Sequence, residues 1–171
     1  AFSLYEPAFR PVPLLDDGPD IGYLEAMQEE APARLFYGVP NAQNPSGITY
    51  SEEKRRAVAA ALAGTGTIFV EDDAYGELRF DGRRLPPIRR YLDDATIITG
   101  SFSKIVTPGL RIGWVAAPGE ILDQITVAKQ ASDLHSNTLA QRMIARYLET
   151  NDIDAHIERI TRVYRAHRDL M

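Results

Sequence analysis

An α/β fold is what this sequence predicts: a mostly parallel sheet with flanking helices, closing on a helical C-terminal segment. Three observations lead there. Short apolar runs rich in β-branched and aromatic residues recur along the chain, bounded by Gly, Pro or acidic clusters. Segments with apolar residues at helical spacing lie between them. Beyond Pro118-Gly119 the helical spacing continues alone.

The elements follow in order. Arg10–Leu15 (RPVPLL) is interrupted by proline, which cannot donate to a ladder, so it is an edge strand at best. Ile21–Glu30 predicts a short helix. Leu35–Val39 (LFYGV), closed by Pro40, predicts a buried strand. Ser51 opens a helix: a hydroxyl N-cap precedes Glu52 and Glu53, whose charge suits the first turn. Gly64 and Gly66 end it. Thr67–Val70 (TIFV) predicts a buried strand running into Glu71-Asp72-Asp73. Thr96–Thr99 (TIIT) and Arg111–Ala117 (RIGWVAA) predict two more, with Trp114 in the core. Three apolar faces then appear: Ile121, Leu122, Ile125 and Ala128; Leu139, Met143 and Tyr147; Ile153, Ile157, Ile160 and Tyr164.

Composition excludes several functions. The 171 residues suit about one domain, and 44% hydrophobic content gives enough apolar surface for a core. Nineteen basic against twenty-four acidic side chains leave a net charge of −5, which argues against a nucleic-acid partner. The absence of cysteine excludes disulfides, thiolate metal sites and cysteine nucleophiles. It also fits a reducing compartment, so a cytoplasmic location is the expectation. The longest purely apolar run, Ala57–Ala63, is far short of the ~20 residues of a membrane helix, so no membrane partner is expected. The chain does not begin with Met and stops within a helical pattern. It therefore reads as an internal piece of a longer protein.

In open parallel sheets, ligands bind at the carboxyl ends of strands. Three strand ends here lead into polar loops: Pro40–Gly47, Glu71–Tyr75 and Gly100–Lys104. The chain has sixteen arginines but only Lys54, Lys104 and Lys129 as lysines. An amine can lose its proton and attack a carbonyl, whereas a guanidinium cannot. Lys54 and Lys129 read as solvated. Lys104 follows a buried strand between Phe102 and Ile105-Val106, apolar neighbours that would lower its pKa. A surface lysine opening a turn is the equal alternative. Asp72 and Tyr75 lie three apart, and Asp73 competes with Asp72. Ser101, Ser103 and Arg111 could together hold a phosphate.

These motifs resemble a family. NPSG at Asn44–Gly47, EDDAY at Glu71–Tyr75 and SFSK–PGLR at Ser101–Arg111 are similar to fold-type I pyridoxal 5'-phosphate (PLP) enzymes, in particular class I/II aminotransferases. FYGVPNAQNPSG with SFSKIVTPGLRIGW is most similar to the aminoadipate, kynurenine and aromatic branch. The resemblance implies PLP as cofactor and amino transfer from an L-amino acid to a 2-oxo acid in a homodimer. It implies a Schiff base on Lys104, Asp72 at the pyridine nitrogen, and Tyr75 and Asn44 at the phenolate oxygen. Ser101 and Arg111 would bind the phosphate, with Ser103 a candidate helper. Residues 1–150 would be the PLP-binding large domain, incomplete at its N-terminus, and 151–171 the start of a helix leading to the small domain. Ser132, where aspartate-specific relatives carry an arginine, argues mildly against a dicarboxylate side-chain site. His135-Ser136-Asn137 resembles a stretch near the neighbouring subunit's site, against a helix N-cap as the plainer reading. A C–S lyase on the same scaffold, or the PLP-binding sensor domain of a transcription regulator, are the alternatives.

Overall fold

The structure is a computed structural model and describes residues 5–170. The hairpin β1 (Leu14–Leu15) and β2 (Gly18–Pro19) leads into α1 (Ile21–Glu30), β3 (Leu35–Gly38), α2 (Glu52–Leu62) and β4 (Ile68–Asp72). Next come β5 (Thr96–Ser101), β6 (Gly113–Ala116), α3 (Gly119–Asp133), α4 (Thr138–Thr150) and α5 (Ile153–Leu170). The larger sheet has the order β3-β4-β5-β6; its first three strands are parallel and β6 runs antiparallel to β5. The α/β, mostly parallel expectation holds. The Pro-rich start forms only the short β1, paired antiparallel with β2.

Register sorts the strand side chains onto two faces, because successive residues alternate. Phe36, Phe69 and Thr96 lie in one row, and Tyr37, Val70 and Ile97 in the next. The first row meets the helices. Phe69 is fully buried with Leu24 of α1, Val58 and Leu62 of α2, and Ile88. Its ring lies 5.6 Å from that of Phe36. Burial of such a side chain stabilises by roughly 1.5–3 kcal/mol. The other face is open at β3, where Leu35 and Tyr37 are 41% and 47% exposed. The expected buried strand is thus buried on one face only: apolar content predicted the strand but not which of its sides α1 and α2 cover.

Helix starts follow the sequence closely. The Ser51 hydroxyl accepts from the Lys54 N–H at 3.1 Å and caps α2. The Asn137 side chain accepts from the Ala140 N–H at 3.1 Å and caps α4, the plainer reading of the His135-Ser136-Asn137 stretch. Helix faces differ more. α4 buries Ala140 and Ile144, while Leu139 and Met143 stay exposed. A one-residue offset turns a helix face by about 100°, so adjacent apolar stripes compete for one contact. α5 buries Ile157 and Thr161 and leaves Tyr164 exposed. α3 buries none of its side chains. Lys54 is not solvated: its Nζ donates to the Pro19 carbonyl at 3.2 Å and pairs with Asp17 at 3.6 Å, tying α2 to the hairpin.

β6 starts two residues later than RIGWVAA suggested, because Arg111 adopts a left-handed φ of 55° after the tight turn Pro108–Leu110. Trp114 is 45% exposed and not in the core. Its indole lies over Gly100, its antiparallel partner, where any Cβ would overlap the ring. Gly100→Ala should therefore cost roughly 1–3 kcal/mol, the usual effect of overpacking. Thermal melts measure this, and Trp114→Ala should relieve it in the double variant.

Among the described residues no helix is long and apolar enough to cross a membrane.

Candidate active site

Parallel strands carry their carboxyl ends to one edge of the sheet. β4 and β5 end side by side there, with Asp72 opposite Thr99, and the Asp73 N–H donates to the Thr99 carbonyl at 2.9 Å. The loops after β4 and β5 therefore start as neighbours. One brings Tyr75 and the other Lys104, and the Lys104 ammonium lies 5.5 Å from the centre of the Tyr75 ring. Both line an open cleft of about 860 Å³ with Ser103, and Ala42 and Gly47 from the loop after β3 line it too. Among the described residues Lys104 is exposed, and Phe102 and Ile105 do not enclose it. Sequence neighbours set composition but not the direction in which a loop side chain points.

The other candidates lie around this pair. Asp72 ends β4 and accepts from the Tyr37 hydroxyl at 2.6 Å. Asp73 accepts from the Asn41 amide at 2.7 Å, so the two competing acids have separate partners. Asn44 is exposed on its loop and does not line the cleft. That loop is folded by Gln43, whose side-chain oxygen accepts from the Ser46 N–H at 2.9 Å and whose backbone N–H donates to the Ile48 carbonyl at 2.9 Å. The Ser101 hydroxyl accepts from the Ser103 N–H at 3.1 Å and lines a smaller cavity with Asp73, Ile105 and Trp114. Arg111 is exposed and reaches the Pro108 carbonyl at 3.4 Å. The structure brings Lys104, Tyr75 and Ser103 into one cleft, with Asp72 and Ser101 at the adjoining strand ends. Asn44 and Arg111 are exposed and line neither cavity.

Sequence reasoning missed what holds these loops. Arg55 of α2 is fully buried. Its guanidinium donates to the carbonyls of Tyr50, Pro40 and Pro86 and, at 2.6 Å, to the side-chain oxygen of Asn41. It lies 3.8 Å from Glu71, also fully buried, which accepts from the backbone N–H groups of Ile88 and Arg89. Burial pushes the Glu71 carboxyl above its usual range and Arg55 below its own, and each charge opposes the other's shift. Arg55 and Asn41 thus join the loop after β3 to that after β4. Arginine inside a capped, otherwise charged helix start gave no sign of this. Tyr37 was likewise missed, although LFYGV places it one residue out of phase with Phe36 and Gly38.

The family model for aminotransferases of classes I and II matches residues 2–171. The chain belongs to this family. It is 37% identical to an aromatic-amino-acid aminotransferase of Thermococcus litoralis, over all of this chain and 42% of that protein. An α-aminoadipate aminotransferase of Thermus thermophilus, solved with N-(5'-phosphopyridoxyl)-L-leucine, superposes with a TM-score of 0.92 at 36% identity. That match covers 96% of this chain and 43% of the other. An HTH-type transcriptional regulator of Bacillus subtilis is 30% identical over 94% of this chain and 33% of its own length. The chain spans about two fifths of the aminotransferases it matches.

Proposed function

We propose that the whole protein is a PLP-dependent aminotransferase that moves an amino group from an L-amino acid to a 2-oxo acid. The observation that carries this reading is the meeting of Lys104 and Tyr75 in one cleft at the carboxyl edge. Membership of the aminotransferase family supports it.

The residues suit the cofactor chemically. An exposed primary amine stands over an aromatic ring, a carboxylate ends the adjoining strand, and the Ser101–Ser103 turn adds hydroxyls for a phosphate. Bound PLP supplies an electron sink for the bonds at the amino acid's Cα. Lys104 would hold the cofactor through Nζ and, once the substrate's amino group has taken its place there, the freed amine would take the proton from Cα and return it during transfer. Asp72 would keep the ring nitrogen protonated by its negative charge. Tyr75, which lines the cleft, would donate to the phenolate oxygen; the family resemblance gives Asn44 the same role, from its loop outside the cleft lining. Ser101, Ser103 and Arg111 would bind the phosphate with hydroxyls and a planar guanidinium. Residues 1–150 form part of the cofactor-binding large domain, and α5 leads toward a small domain. A homodimer, as the family resemblance implies, completes the proposal, in the reducing cytoplasm that a chain without cysteine fits.

The test is chemical. PLP added to the full-length protein should give a visible absorption band, and borohydride reduction should leave the label on Lys104. Label on Lys54 or Lys129 overturns the assignment. Transfer to a 2-oxo acid without ammonia release separates the aminotransferase from a lyase. Cofactor binding with no transfer would favour the regulator reading, which the Bacillus subtilis similarity raises. Asp72→Ala should weaken PLP binding by about tenfold or more, the loss of one charge-assisted contact. Equilibrium titration measures this.

A further inference from the structure

Glu71, Asp72 and Asp73 are consecutive acids, yet each has a different partner. Glu71 faces the buried Arg55. Asp73 is held by Asn41, which Arg55 also holds. Asp72 alternates to the other sheet face. There, among the described residues, its side chain is held by Tyr37 of β3, whose hydroxyl donates to Oδ2 at 2.6 Å. Tyr37 pairs in register with Val70, so it reaches Asp72 along the strand diagonal.

The chemistry of the three partners differs. Arg55 compensates the charge of Glu71. Tyr37 is neutral, so it can fix one oxygen of Asp72 without cancelling its negative charge. The Tyr37 hydroxyl is pushed up to about 12, by burial first and then by the hydrogen bond to Asp72 and its charge, so it stays a donor at any working pH. Within the described residues a phenylalanine at this position would make the same apolar contacts but would leave Asp72 Oδ2 without its donor.

Resting on the PLP reading above, we propose that Tyr37 is a positioning residue for Asp72. It anchors Oδ2 and leaves Oδ1 free to accept from the ring N–H of the cofactor. It touches neither substrate nor cofactor itself.

The experiment is a binding cycle on the full-length apoprotein. The probes are PLP and its 1-deaza analogue, which carries C–H in place of the ring nitrogen. Tyr37→Phe should weaken PLP binding about tenfold, as one hydrogen bond to a charged group does, while leaving binding of the deaza analogue unchanged. It should add nothing when Asp72 is already alanine. Equal weakening of both probes, or unchanged PLP affinity, overturns the proposal: the first means a merely structural role, the second no role. Failure of the wild-type protein to bind PLP would instead defeat the underlying functional reading, and this inference with it.

Discussion

Lys104→Arg leaves the fold intact and removes amino transfer. The side chain is exposed at the cleft, where it lies over the Tyr75 ring. Arginine keeps the positive charge and can still stack on that ring, so stability should change by less than about 0.5 kcal/mol. A guanidinium cannot give up its proton near neutral pH. It can therefore neither attach the cofactor nor shuttle a proton at Cα. Loss of the proton shuttle alone should slow transfer by at least about 10²–10⁴-fold. Paired thermal melts and single-turnover assays on the full-length protein check this. An arginine variant that transfers amino groups at the wild-type rate would place the chemistry on another residue.

Arg55→Met has the opposite signature, a large loss of stability that originates away from the cleft. The variant leaves Glu71 charged and fully buried without its guanidinium, and takes the donor from the Pro40 and Pro86 carbonyls and from Asn41. Breaking a buried pair at one partner costs about 3–5 kcal/mol. Thermal melts of the full-length protein should show this as a drop in Tm of at least several degrees. Glu71→Leu in the same protein should restore much of the loss, because the uncompensated charge is then gone. PLP binding should stay impaired in the double variant, since the side-chain oxygen of Asn41 loses the guanidinium that orients the amide toward Asp73. Calorimetry with cofactor titration separates the two effects. A single variant that melts like the wild type would mean that Arg55 and Glu71 do not form the buried pair described here.

The elements were legible because local rules govern them. Ser51 and the acids after it mark α2, and the boundaries of α1 fall where the pattern puts them. Apolar runs between breakers gave β3, β4 and β5. The helix faces were less legible. In α4, Leu139-Met143 and Ala140-Ile144 are both apolar stripes, and only the neighbouring surface selects the second. Trp114 was misread as core for a related reason: its place over Gly100 depends on the antiparallel pairing of β5 with β6, which neither strand encodes alone.

The candidate site divides the same way. The sequence by itself determined the chemical inventory: one lysine, an acid–tyrosine pair and a serine-flanked turn, in an order that resembles a known family. Tertiary structure decided which acid faces which partner. Alternation along β4 sends Glu71 to Arg55 and Asp72 to Tyr37, across separations of 16 and 35 residues. Strand pairing decides such contacts, because a hydrogen bond depends on distance in space, and adjacency in a sheet is set by register rather than by position along the chain.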